Sequence, residues 1–529
     1  MSKFHRPSSM LKKAGVGFLS VTLAVLAGCS ASSSDTPSAA DPKASGQAAP
    51  GGPVKARWLV QSHPNAQMNN DMLWVKEVAA KTNVNIEWIA GPENLDQYKE
   101  KFNLTVVSGD IPDLMSGPVD MFVKGGEAGA FEPLNNWIDK AMPNFKKLLE
   151  SNPEYARNIK TDDGNIYYIP SFAAVKANSV FIVRQDWLDK LGLKAPNTPD
   201  EMYNVLLAFK ERDPNGNGKP DEIPFTTRGK KKGLNGFIEP FGVSLDEDFL
   251  VENGKVSYTY TDPRMKEALV YLNKLFKEKL IDNEYATNDS KIWDQRLSTE
   301  ASGMTWDVFV REDYFDKTIV KTNPKGDFSI FLPLQTKDGQ RYTKSQQLSV
   351  IENTRGISSK TPHKEALAKW ADWFYGPEGH MTYNFGILGE TYTMENNEPK
   401  YTDMIMKDPN NSPLTKMMSM GRHHWPAVND IRYENASQSP SVVKMRDEVS
   451  KLVKPRFPKE YVSYTQEERD VINAKFTEIS TFTDEMFDKF VYGAEPIDKF
   501  DEYAANIKKM GVDEVIKVQQ AAYDRYMKR

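Results

Sequence analysis

Apolar and polar positions along this chain switch repeatedly between two periods. Arg57-Trp58-Leu59-Val60-Gln61 and Asn85 to Ile89 have the make-up of short strands. Asp71 to Lys81 carries Trp74, Val75, Val78 and Ala79 at helical spacing, and Leu95 to Val107 is again helical. The turn Gly109-Asp110-Ile111-Pro112-Asp113 then feeds a short apolar segment, Leu114-Met115. Strand, helix, strand, helix, strand predicts an α/β fold with parallel pairing, because a crossover helix returns the chain to start the next strand in the same direction.

Further along, Asp162-Asp163-Gly164-Asn165 followed by Ile166-Tyr167-Tyr168-Ile169 predicts a hairpin. Ser179 to Val183 reads as a strand, and a short helix from Asp186 stops at Gly192. Thr198-Pro199-Asp200-Glu201 is a capping-box pattern that opens a helix to about Arg212. Thr261-Asp262-Pro263 starts another, with Ala268, Leu269, Leu272, Leu275 and Phe276 as its stripe. Thr361-Pro362 opens one to about Phe374. Thr465 to Glu468 is a second capping box before a long amphipathic helix, and the last helix starts near Asp513. The final third is predicted to be mostly helical, and no internal repeat is visible.

The beginning of the chain follows another logic. Lys3, Arg6, Lys12 and Lys13 precede an apolar run from Ala14 to Ala27, too short to span roughly 30 Å of hydrocarbon comfortably. The run ends in Leu26-Ala27-Gly28-Cys29, which resembles a bacterial lipobox: residues 1–28 are the expected leader and the Cys29 thiol the expected lipid attachment point. Cys29 is the only cysteine, which excludes an internal disulfide framework and any multi-cysteine zinc site. Ser30 to Pro53 holds no large apolar side chain, so residues 29–55 are expected to be a flexible tether. Such a lipid anchors a body to the outer face of a membrane and does not span it. Loss of the leader takes away four cationic side chains and no acidic one, moving the net charge from −5 to −9. That balance disfavours nucleic-acid binding, which needs cations to neutralise phosphates.

One motif carries metal chemistry. Residues 213–222 read Asp-Pro-Asn-Gly-Asn-Gly-Lys-Pro-Asp-Glu. Oxygen-bearing side chains at Asp213, Asn215, Asn217 and Asp221 alternate with glycines, so one tight loop can wrap them around a hard cation, and Ca²⁺ takes six to eight oxygen ligands. Lys219 can offer only its main-chain carbonyl. The bidentate acid would be Glu222 at the tenth position, not the twelfth as in an EF-hand. All these oxygens come from one segment, which makes a structural Ca²⁺ site the expectation.

Catalytic signatures are absent: the sequence has no G-x-S-x-G, no G-x-x-x-x-G-K-[ST] and no H-E-x-x-H. His423 and His424 are neighbours that point apart on any regular element. The run Arg228-Gly229-Lys230-Lys231-Lys232 reads as a solvated loop. Trp306, Trp425 and Tyr392 sit in loop-like segments beside hydrogen-bonding side chains, a setting that suits sugar recognition, and core packing is the alternative for each. Trp74, Trp370 and Trp373 lie on helical stripes that suit a core.

Taken together, the lipobox, the tether, Gly109-Asp110-Ile111-Pro112-Asp113, Asp163-Gly164-Asn165-Ile166-Tyr167, Arg184-Gln185-Asp186-Trp187-Leu188-Asp189-Lys190-Leu191 and the 213–222 loop resemble a family 1 extracellular solute-binding protein. Within that family the chain is most similar to the periplasmic alginate-binding proteins and their lipoprotein relatives. The resemblance implies two α/β lobes of the type II-like periplasmic-binding-protein fold, with a hinge and a helix-rich C-terminal lobe. It implies a binding protein and not an enzyme, an oligosaccharide ligand, delivery to an ABC permease made of other chains, and calcium at Asp213, Asn215, Asn217, Lys219, Asp221 and Glu222. Trp306 and Trp425 fall in segments that correspond to those where the alginate binders stack tryptophans on sugar, although the flanking residues differ. The lipid anchor departs from the freely periplasmic pattern and suits a cell without an outer membrane.

On this reading one lobe comprises residues 56–178 and 304–350 and the other 179–303 and 351–529, with crossings near Ser179, Met304 and Ile351. The protein is expected to be a monomer. An acidic, uronate-containing sugar gains no long-range attraction from a net charge of −9 and would need local cations, with Arg311, Arg422 and His424 as candidates. The alternatives are a surface-anchored glycoside hydrolase or polysaccharide lyase, and a lipoprotein that senses ligand for a kinase.

Overall fold

The computed structural model describes residues 52–529, apart from 64–65, 178, 345–349, 409–410, 412, 437 and the side chains of 351–353. The leader, Cys29 and nearly all of the tether lie outside the described residues.

The parallel start is present. Val54–Gln61 pairs in parallel with Val84–Gly91 over its whole length and with Leu114–Gly117 at Trp58 and Leu59. The crossovers are the helices Leu73–Thr82 and Leu95–Ser108. The second opens where the Asn94 side chain accepts the N–H groups of Asp96 and Gln97, and it stops at Gly109, whose φ of 77° suits glycine. Three more strands complete a six-stranded sheet in the order 427–428, 169–172, 350–357, 114–117, 54–61, 84–91. A second, antiparallel sheet has the order Met304–Val308, Ser179–Arg184, Phe328–Phe331.

Two expectations are corrected by this pairing. The turn at Thr161–Gly164 forms, with Gly164 N–H on the Thr161 carbonyl at 2.9 Å. It does not make a hairpin, because Ile169–Phe172 pairs with the distant strand Val350–Ile357. The expected lobe division is also changed. Met304–Val308 pairs with Ser179–Arg184, not with the first sheet, and Val350–Ile357 pairs with Leu114–Gly117 in the first sheet. Pairing across such sequence distances leaves no trace in local periodicity.

Each sheet has its own core. Trp58, Phe102, Phe122, Phe131, Trp370 and Phe374 belong to the first; Phe181, Trp187, Phe209, Leu272, Phe487 and Val515 belong to the second. Fully burying side chains of this size contributes about 1.5–3 kcal/mol each. The predicted C-terminal helices are present as Gln466–Tyr492 and Val512–Tyr526, and they pack with Pro263–Lys277 on the second core. Thr465 and Glu468 form the reciprocal capping box. At Thr198 only half the box forms, since the Glu201 carboxylate takes the Asn197 N–H instead. No helix among the described residues is long and apolar enough to cross a membrane.

Glu312, in the helix Val310–Ile319, is 5% exposed. Burial, reinforced by the charges of Asp313, Asp316 and Asp327, pushes its carboxyl up to about 8. A folded-state value above the unfolded one means that stability is full below about pH 4.5 and is lost as pH rises through about 8. Glu312→Gln is therefore expected to flatten the fall in melting temperature between pH 5 and 8, and to stabilise at pH 8 by on the order of 2 kcal/mol. An unchanged pH profile in thermal unfolding would contradict this.

Candidate functional site

The loop after the helix Pro199–Glu211 is folded around its own oxygens. Asp213 itself takes φ 42°, and Gly216 and Gly218 take φ 76° and 75°, a backbone that glycine adopts without steric cost. The Asp213 carboxylate accepts N–H bonds from Gly216, Asn217 and Gly218 at 2.9, 3.1 and 3.0 Å. Asn215 Oδ1 accepts from Asn217 N–H at 2.9 Å, and Asn217 Oδ1 from Lys219 N–H at 2.7 Å. The amide of Asn217 donates to Asp221 Oδ1 at 3.0 Å. Lys190 seals the outside by donating to the carbonyls of Asp213 and Pro214. The exit is fastened to the rest of the fold by Ile223 N–H on the Ala301 carbonyl at 2.9 Å.

Glu222 is the residue that tests whether an ion fits. It is 8% exposed, and both carboxylate oxygens are buried with no hydrogen-bond donor. Burial, with the charges of Asp213 and Asp221, outweighs the nearby main-chain N–H groups of Glu222 and Asn215 and holds its carboxyl above the usual range. A buried carboxylate without a donor beside two further acids is costly unless a cation joins it. The donor set of carboxylates, Asn amides and a main-chain carbonyl has the chemistry of a hard-cation site. Among the described residues no group of three or more His, Cys, Asp or Glu could hold an ion alone, so the amides and the carbonyl are needed.

The chain crosses between the two sheets more than once. The chain leaves the first sheet at Phe172 and enters the second at Ser179, which pairs with Val308. It leaves the second at Phe331 and rejoins the first at Val350. The carboxyl ends of Val54–Gln61, Val84–Gly91 and Leu114–Gly117 point to the same side, where open α/β sheets bind ligands. A cavity of about 410 Å³ opens there between Pro118, Val119 and Tyr168, with Tyr461 packed on the same core, and Tyr464 and Arg469 at the start of the helix Gln466–Tyr492. Tyr461 also accepts the Val350 N–H at 3.1 Å. One edge is fastened by Asp162, which takes bonds from Arg525 Nε and Arg529 Nε, both at 2.9 Å, and by Tyr526 on Asn158.

The expected sugar-stacking rings lie elsewhere, and this is a correction. Trp425 is 1% exposed and packed among Trp58, Trp88, Trp370 and Phe374, with centroid distances of 5.5–6.2 Å and a stacked Phe374 at 5.6 Å. His424, at φ 68°, turns the chain there, and its carbonyl is held by Arg355 of the neighbouring strand. Trp306 is buried against Phe181 at 4.9 Å, and Gly236 lies so close that an added Cβ would sit 2.4 Å from its ring. Tyr392 is buried beside Phe385, in the hairpin of Tyr392–Glu395 with Glu398–Tyr401. Among the described residues no ring contact joins any two of the three, and each is mostly buried against its own core. Nor do Arg422 and His424 offer a charge. Arg422 is buried between Tyr383 and Tyr433, and burial holds His424 well below the usual imidazole range.

A family model described as bacterial extracellular solute-binding protein matches residues 65–381. The chain belongs to that family. Across 96% of its length this solute-binding protein is 26% identical to the fructooligosaccharide ABC transporter substrate-binding protein FusA of Streptococcus pneumoniae, covering 97% of that chain. It is 27% identical to lipoprotein LipO of Bacillus subtilis over 59% of its length and 62% of LipO. Among solved structures, alginate-binding protein AlgQ2 without calcium ion superposes with a TM-score of 0.72 at 29% identity, covering 90% of this chain and 98% of that one. FusA in complex with kestose gives 0.70 at 25% identity, covering 89% and 99%. A FusA EF-hand mutant is a further neighbour. The solute-binding protein thus has the two-lobed α/β fold of substrate-binding proteins.

The cavity-lining tyrosines were not legible in the sequence. Tyr461 and Tyr464 stand in a polar segment just before a helix cap, and nothing local ties them to Val119.

Proposed function

We propose that this solute-binding protein captures an oligosaccharide between its lobes and delivers it to the transmembrane subunits of an ABC importer, as a monomer tethered to the outer face of the cell membrane by a lipid on Cys29. The observation that carries the reading is the cavity between Val119, Tyr168, Tyr461 and Tyr464, where hydroxyls, apolar side chains and charged groups converge between two bodies. That mixture suits sugars, whose C–H faces pack on rings while their hydroxyls take hydrogen bonds. The ligands of FusA and AlgQ2, fructooligosaccharide and alginate, support the same class, and the lipoprotein LipO supports the anchor. Closure requires that the sugar bind the closed arrangement better than the open one.

The sheet pairing supports lobes of about 54–172 with 350–435 and 179–344 with 438–529, which revises the expected boundaries. Calcium would be held by Asp213, Asn215, Asn217, the Lys219 carbonyl, Asp221 and Glu222. Its chemistry there is to neutralise three acids and brace the loop against the Ala301 segment. It takes no part in ligand transfer.

The test is a thermal-shift panel of oligosaccharides, with product analysis on the same samples. A transported ligand raises the melting temperature by mass action and is recovered intact. New reducing ends or unsaturated uronates would favour a polysaccharide-degrading enzyme instead.

A further inference from the structure

We propose that Arg311, with Lys230 beside the same sheet end, forms a subsite for a carboxylate of the bound glycan, so that the protein selects an acidic, uronate-bearing oligosaccharide. This rests on the sugar-binding reading and names the class of sugar.

The placement follows from the strand register. Val308 pairs with Ser179, the first residue of the second sheet after the crossing, so Val308 and the start of the helix Val310–Ile319 stand at the end that faces the first lobe. The segment 226–234 runs beside the same strand. Thr226 donates its N–H to the Met304 carbonyl at 3.0 Å, and Arg228 forks onto Asp307 with bonds of 2.8 and 2.9 Å. The basic run expected to be a solvated loop therefore follows this strand toward its Val308 end, outside the lining of the 410 Å³ cavity.

Its charges are not equally satisfied. Arg228 is neutralised by Asp307, and Lys231 by Asp484. Lys230 is exposed, at φ 51°, and has no carboxylate oxygen within 4.0 Å among the described residues. Arg311 has none either; its guanidinium lies 5.4 Å from the Trp293 ring centroid and 5.2 Å from that of Tyr314. Arg228 lies over the same Trp293 at 4.4 Å. Two guanidinium groups thus gather on one indole, and only one has a counter-ion. Asp294, the nearby acid on the helix Ser290–Ser298, takes the Tyr314 hydroxyl at 3.0 Å. A half-buried guanidinium held between two aromatic rings, with its donors unspent, is pre-organised for a planar carboxylate. The ring of Tyr314, 41% exposed, gives the sugar an apolar face beside it. The negative charge of the whole chain disfavours long-range steering of an acidic sugar, so the selection is local.

The experiment is calorimetric titration of the calcium-loaded protein with a galacturonate trisaccharide, a mannuronate trisaccharide and the neutral trisaccharide kestose. At least one uronate is expected to bind ten-fold or more tighter than kestose, and to weaken as salt rises from 50 to 500 mM. Arg311→Gln should cost that uronate ten-fold or more while leaving the melting temperature and kestose affinity unchanged, and Arg311→Lys should restore part of it. Tighter binding of kestose, or a uronate affinity indifferent to Arg311→Gln, would overturn the subsite and leave the sugar-binding reading standing. Failure of all three sugars would overturn the subsite too, and a wider neutral panel then decides whether the sugar-binding reading falls with it.

Discussion

EDTA is expected to lower the melting temperature of the protein, and added calcium to restore it. The loop at 213–222 carries three carboxylates; Asp213 takes three main-chain N–H groups and Asp221 the side-chain amides of Asn215 and Asn217. Glu222 has none in bonding geometry among the described residues, although both its oxygens are buried. An ion that binds this loop only when folded stabilises by about 2.7 kcal/mol at one hundred times its dissociation constant. For lobes of this size that amounts to about 5–10 °C. Magnesium should restore less, because it sheds its waters reluctantly. Glu222→Gln should remove the response to calcium while leaving the metal-free protein as stable as before or more so, since an uncharged amide relieves a buried charge. Equal melting temperatures in EDTA and calcium, or a full response from the variant, would contradict a calcium site here.

Trp425→Ala is expected to destabilise by about 3–5 kcal/mol, the range for truncating a large buried aromatic. The ring is wedged among Trp58, Trp88, Trp370 and Phe374, and its indole N–H is taken by the Gly421 carbonyl at 2.7 Å. A tryptophan whose work is to stack on a sugar behaves differently: its loss removes binding and leaves the fold nearly untouched. Urea unfolding of the ligand-free protein separates the two. A lower midpoint supports the core assignment, and an unchanged midpoint with lost sugar affinity would return Trp425 to the cleft.

The two cases show what a sequence can carry. The calcium loop is local. Its oxygens, glycines and exit acid lie within ten consecutive residues, so spacing alone lays out the geometry. The helix caps at Thr198 and Thr465 and the parallel start of the first sheet were legible for the same reason. Trp425 is the opposite. Its segment, Arg-His-His-Trp-Pro, has the composition of a surface loop, and a loop ring can turn inward or outward. What turns it inward is the left-handed His424 and the bond from Arg355, far away in the chain. The lobe boundaries failed similarly, because Met304–Val308 reads as a strand whichever sheet it joins. The cavity at Tyr461 unites segments some three hundred residues apart, and no local pattern encodes that union.

The central claim is that the cleft binds an oligosaccharide. Titration calorimetry of the protein without its leader, against a panel of neutral and acidic oligosaccharides and a control panel of peptides, tests it most directly. The account predicts saturable one-to-one binding of at least one oligosaccharide and none of the peptides. Tight binding of a peptide with no heat from any sugar would contradict it.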